Sequence, residues 1–147
     1  MLQKMRERMG REEGFTLVEL LVVMLILGIL AAIAIPAFFN QRSKAHDAQS
    51  KAAARTAETA METYATDNGG SYASATPALL NGIEQTLKLS GANAITVPAA
   101  TSNSYSVAST SSTGNVFTIA RASTGVVTFS CTTAGTAGCP TGGDWSN

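Results

Sequence analysis

The sequence predicts an α+β protein in which one long N-terminal helix, half of it suited to a membrane, lays its second half on a small C-terminal antiparallel sheet. Three observations predict this. Residues 15–39 are almost wholly apolar, with Glu19 as the only charge. Residues 40–67 place Ala among charges at helical spacing and stop at Asp67-Asn68-Gly69-Gly70. Residues 68–147 are rich in Gly, Ser and Thr, with short β-prone runs between turn residues. Four segments follow: a charged leader over 1–14, an apolar helix over 15–39, an amphipathic helix over 40–67 and a head over 68–147.

Composition removes several function classes. Lys plus Arg number 10 and Asp plus Glu number 10, so the net charge is zero. A strongly basic nucleic-acid binder and an acidic disordered chain are both excluded by that balance. One His and two Cys leave little material for a metal cage or a histidine-centred active site. No cofactor, no metal and no enzymatic activity are expected. His46 stands beside Asp47 with no nucleophile at a readable motif, which makes it a bystander on a solvated helix.

As a helix, residues 15–39 reach about 37 Å at 1.5 Å per residue, against about 30 Å for the hydrocarbon layer of a bilayer. A single membrane pass is therefore expected. A secretory signal peptide is the competing reading: Ala32-Ile33-Ala34 offers a small-x-small site, and cleavage after Ala34 would release a soluble binding module starting at Ile35. Two features oppose it. The leader carries Glu7, Glu12 and Glu13, and Glu19 sits at the head of the apolar run. An unpaired carboxylate at mid-bilayer costs roughly 2.5–3.5 kcal/mol or more. Lys and Arg are balanced across the span, with Lys4, Arg6, Arg8 and Arg11 facing Arg42, Lys44, Lys51 and Arg55. The short leader and the larger C-terminal part favour an N-terminus inside the cell.

The junction Gly14-Phe15-Thr16-Leu17-Val18-Glu19-Leu20-Leu21 settles the choice. It resembles the N-terminal signature of type IV pilins and pseudopilins. The resemblance is tight over residues 10–40 and fades beyond. It implies that a prepilin peptidase cuts between Gly14 and Phe15, and that Phe15 is then N-methylated. It makes Glu19 the family glutamate, which pairs with the N-terminal amine of a neighbouring subunit. Pairing with an ammonium offsets much of the cost of a buried carboxylate. From the residues alone, Glu19 snorkelling to the headgroups is an equal reading.

Gly28 and Pro36 also match common family positions. Gly costs about 1 kcal/mol of helix propensity relative to Ala, and Pro removes a backbone donor. The stretch between them is the easiest part of the helix to bend, and the resemblance implies that part of it is extended in the filament.

In the amphipathic part, Ala45, Ala48, Ala52, Ala53, Ala57, Ala60, Met61 and Tyr64 recur at spacings of mainly three and four. They read as the face that meets the sheet, and the whole helix is expected over 15–66. Arg42, Lys44, His46, Lys51 and Arg55 form a basic strip, but Asp47, Glu58 and Glu62 share the helix. A solvated or headgroup-facing surface suits that mixture better than a DNA site, so nucleic acid is not expected as a direct ligand. Residues 68–100 read as a connection holding a short helix after Thr76-Pro77. Strands are expected over 104–109, 115–121 and 126–130, as an antiparallel meander on the helix. The resemblance independently implies this shape, the pilin fold.

Cys131 and Cys139 bracket a short loop after the last expected strand. A domain outside the cytoplasm can keep a disulfide there, worth roughly 2.5 kcal/mol by chain entropy, while free buried cysteines are the alternative. The resemblance favours the disulfide, since many pilins carry such a C-terminal region. The calcium site of some major pseudopilins is not carried over, because Asp144 is the only acid after Glu84.

Together these readings imply a structural subunit of a bacterial type IV pilus, serving adhesion, motility or DNA uptake. Its partners would be other copies of itself, other pilins, the prepilin peptidase and an inner-membrane assembly platform. It would lie in the cytoplasmic membrane before assembly and in an extracellular pilus afterwards. A pseudopilin of a type II secretion system is the alternative, and the secreted module is the second.

Overall fold

The computed structural model describes residues 14–146, so the leader expected over 1–14 lies almost wholly outside the described residues. It holds two compact units, 14–38 and 39–146. Helix α1, Leu17–Asp67, runs from the first into the second and is unbroken at Gly28 and Pro36. The expected start at residue 15 is two residues early, because Thr16 acts as the cap: its hydroxyl accepts the Glu19 N–H at 3.2 Å. The helix ends one residue beyond the expected 66. The Gly70 N–H bonds back to the Ala65 carbonyl at 2.7 Å, and Gly70 has a φ of +86°, a conformation only glycine adopts without strain.

The second unit continues with α2, Pro77–Ile83, capped as expected by Thr76, whose hydroxyl accepts the Leu79 N–H at 3.3 Å. Four strands follow: β1 Ala94–Ala100, β2 Tyr105–Thr110, β3 Val116–Arg121 and β4 Val127–Cys131. They pair antiparallel in the order β1-β2-β3-β4. Three were expected to within a residue or so. The first, β1, lies in the stretch expected to be connection and corrects that expectation. Its sequence AITVPAA contains Pro98 and several alanines, both poor strand formers. The strand tolerates them because it is an edge, and its register slips between Thr96 and Ala99, at the proline.

Alternation along β2 and β3 turns Tyr105, Val107, Phe117 and Ile119 inward. Val107 pairs with Ile119, which pairs with Phe129, so one row of apolar side chains crosses the sheet. Against it α1 buries Ala54, Ala57, Ala60, Met61 and Tyr64, joined by Leu80, Leu87 and Trp145. Trp145 meets Phe117 and Phe129 edge-on, with ring centroids 5.7 and 5.1 Å away.

The expected helix face needs a second correction. Ala57, Ala60, Met61 and Tyr64 are buried as read, but Ala45, Ala48 and Ala52 are exposed and Ala53 is half-buried. Asp47, Ser50 and Ala54 take their place inside. Alanine is small enough for either environment, so its spacing does not fix the phase of the face. The buried polar pair was invisible without its partners.

Candidate assembly interface

In the first unit, Gly14 precedes the helix, and a Cβ placed on it would meet nothing within 4 Å. Phe15 is 76% exposed. The Gly14-Phe15 peptide thus lies outside the helix and is uncrowded, as access by a peptidase requires. Glu19 stands in the first turn of α1 and is exposed. Among the described residues its carboxylate makes no hydrogen bond or ion pair. The order Thr16-Leu17-Val18-Glu19 is also a capping-box pattern, of which only the Thr16 half forms, its hydroxyl accepting the Glu19 N–H. A carboxylate in the first turn complements the positive end of the helix dipole.

Every large apolar side chain from Leu17 to Phe39 is exposed, among them Val18, Leu21, Leu25, Ile29 and Ile33. The most apolar window of the helix has mean hydropathy 2.9, and none of it is buried within the chain. At about 25 cal/mol per Å² of apolar surface, such a stretch is strongly driven out of water, into lipid or against like helices. Gly28 faces open space, with nothing within 4 Å of an added Cβ. Pro36 supplies no N–H, so one carbonyl a turn earlier lacks its helical donor.

The second unit fastens α1 to the head through two carboxylates. Asp47 is fully buried. Its Oδ2 accepts from the Asn115 side chain at 2.8 Å and from the Gly138 N–H at 2.9 Å, and its Oδ1 accepts from the Thr113 hydroxyl. Burial pushes this carboxyl up, but hydrogen bonds from Thr113, Ser111, Asn115 and Gly138 outweigh it and hold it below the ordinary aspartate range. Glu62 accepts from the Tyr72 and Tyr105 hydroxyls at 2.8 and 3.0 Å, and pairs with Arg121 at 3.4 Å. Burial, then the bond to Glu62, pushes the Tyr105 phenol well above its ordinary value.

The basic strip divides. Lys51 lies over the ring of Phe117 at 5.3 Å and Arg55 over Trp145 and Phe129 at 5.4 Å, so both cover the aromatic core. Arg42 and Lys44 are exposed. Cys131 and Cys139 form a disulfide that closes the loop carrying Gly138. Among the described residues no group of three potential metal ligands occurs.

Residues 9–35 match the family described as the prokaryotic N-terminal methylation motif. The chain is 38% identical over 119 residues to the type IV wide pilus major component PilA4 of Thermus thermophilus, covering 80% of this chain and 88% of that one. It is 35% identical to the fimbrial protein EcpC of Eikenella corrodens, over 70% of this chain and 65% of that one. It is also 38% identical to the type II secretion system core protein G of Aeromonas hydrophila, over 40% of this chain and 41% of that one. No solved structure matches.

Proposed function

The chain belongs to the type IV pilin family, and from that premise we propose how it is processed, inserted and assembled. It is a pilus structural subunit. Prepilin peptidase removes residues 1–14 by cutting after Gly14, and Phe15 becomes the N-methylated first residue. Before assembly the chain spans the cytoplasmic membrane once, with its N-terminus inside. An assembly platform in that membrane then draws the apolar helix into a bundle of like helices, and the filament extends outside the cell.

The observation that carries this reading is the continuous exposed apolar face from Leu17 to Phe39, preceded by an open Gly14-Phe15 peptide. None of the most apolar window of that face is buried within the chain. A head-to-tail contact that does not close builds a filament from it. Within so apolar a bundle, the new amine of Phe15 and the carboxylate of Glu19 are the available charges of opposite sign. Their pairing between neighbours sets the stagger, and Gly28 with Pro36 lets the helix bend as it leaves the membrane.

The type II secretion pseudopilin remains the second reading, supported by the match to core protein G. The PilA4 match includes most of the head, whereas the core protein G match covers less than half of this chain, which favours the pilus. Intact mass of the native protein tests the proposal. A mature chain starting at N-methylated Phe15 is expected, and an Ile35 start would overturn it. Loss of surface filaments on deletion of the chain separates pilus from secretion pseudopilus.

A further inference from the structure

A groove of about 260 Å³ lies in the second unit, between α1 and the end of α2, lined by Thr56, Thr59, Ala60, Thr63, Ile83 and Glu84. Its chemistry is one-sided. The Thr56, Thr59 and Thr63 hydroxyls donate to the carbonyls of Ala52, Arg55 and Thr59 at 3.0, 3.1 and 3.0 Å. Each hydroxyl has a single hydrogen, so these three offer only acceptor lone pairs to a visitor. Glu84 receives the Thr86 amide and hydroxyl on Oε1, at 3.1 and 2.8 Å. Those bonds hold its carboxyl below the ordinary glutamate range. Among the described residues, Oε2 has no hydrogen-bond partner. Ile83, 39% exposed, adds an apolar wall. Acceptors, an anion and an apolar wall together suit a guanidinium or ammonium on an aliphatic stem.

The same unit of the chain supplies such a group. Arg42 and Lys44 are exposed, and among the described residues neither has an ion-pair partner. The nearest acid along the chain, Asp47, is buried and committed to Thr113, Asn115 and Gly138. Arg42 stands 18 residues before Ala60, or about 27 Å along α1 at 1.5 Å per residue. Arg42 therefore cannot serve its own groove, but a copy shifted by roughly that distance would bring its Arg42 level with it.

We infer that this groove receives Arg42 of a second copy of the chain, with the guanidinium on Glu84 and the threonine oxygens and the stem against Ile83. The contact is heterologous, so each copy offers one cation and one groove and the series does not close. This inference rests on the filament reading above and adds to it a named contact between copies.

Charge reversal in cells tests it with the full chain. Arg42→Glu and Glu84→Arg should each lower filament yield at least tenfold at equal subunit level. The double variant should recover to within threefold of the unaltered protein. Lys88→Glu, an equal change of charge at an exposed site outside the groove, should leave yield unchanged. Either single reversal assembling at full yield would overturn the inference, as would a double variant no better than the worse single one. A cation that instead served lipid headgroups would give loss with Arg42→Glu, no loss with Glu84→Arg and no rescue, which also overturns it. Arg42→Cys combined with Glu84→Cys gives a second readout that needs no recovery of charge. Oxidised filaments should yield a ladder of linked subunits absent from either single variant, and filaments without that ladder would sink the contact. If the unaltered chain formed no filament at all, the filament reading itself would fail, an outcome distinct from all of these.

Discussion

The buried carboxylate of Asp47 accepts a hydrogen bond from the Gly138 amide at 2.9 Å, across 91 positions of sequence. With Thr113 and Asn115 on the same carboxylate, one side chain of α1 joins the β2–β3 turn to the disulfide loop. No cation shares the site among the described residues, so neutral donors alone compensate the charge. Removing the carboxylate leaves those donors buried without an acceptor. Asp47→Ala should cost about 2–4 kcal/mol. Denaturant unfolding of the detergent-solubilised chain, followed by the fluorescence of its single tryptophan, Trp145, measures this directly.

The same carboxylate makes stability depend on acid. Its pKa in the folded protein lies below the unfolded value of about 3.9, so its contribution is complete above that value. It is lost as pH falls through the folded pKa. Unfolding free energy should therefore drop below about pH 4. Asp47→Asn should flatten that part of the profile, and an unchanged slope would assign the acid sensitivity elsewhere.

At the other extreme of pH, Tyr105 is a sensitive group, beside Tyr72, whose phenol is also pushed up by burial and by its bond to Glu62. The folded pKa of Tyr105 is raised by burial and by its bond to Glu62, so its contribution is present below the unfolded value of about 10. Alkali above that point should favour unfolding. Absorbance titration should show Tyr105 ionising only together with loss of Trp145 burial, and Tyr105→Phe should remove that coupled step.

Close approach at Gly138 gives an independent check on the anchor. A Cβ there would lie 2.6 Å from the Asp47 Cβ, with no room for it unless helix and loop part. Gly138→Ala should therefore destabilise by about 1–3 kcal/mol, as overpacking does. Gly142→Ala, where nothing lies within 4 Å, is the matched control and should have little effect.

Reduction of the Cys131–Cys139 bond releases the loop that delivers Gly138 to Asp47. Chain entropy alone puts the loss near 2.5 kcal/mol for so short a loop. The double variant Cys131→Ala with Cys139→Ala should match it. It should also weaken the effect of Asp47→Ala, since the two share one structure and do not add.

Local sequence determined whatever is decided within a few residues. The apolar run, the stop at Gly69-Gly70, the Thr76 cap and three of four strands rest on periodicity or on near neighbours along the chain. Tertiary structure alone decided the rest. The phase of α1 could not be read, because alanines at 45, 48 and 52 fit solvent as well as a core. Strand β1 exists because β2 offers it a partner that its own proline and alanines would not predict. Asp47 looked like one more surface charge, since the donors that make its burial tolerable stand 66, 68 and 91 positions away. Burial of a charge depends on partners, and partners distant in sequence are brought together only by the fold.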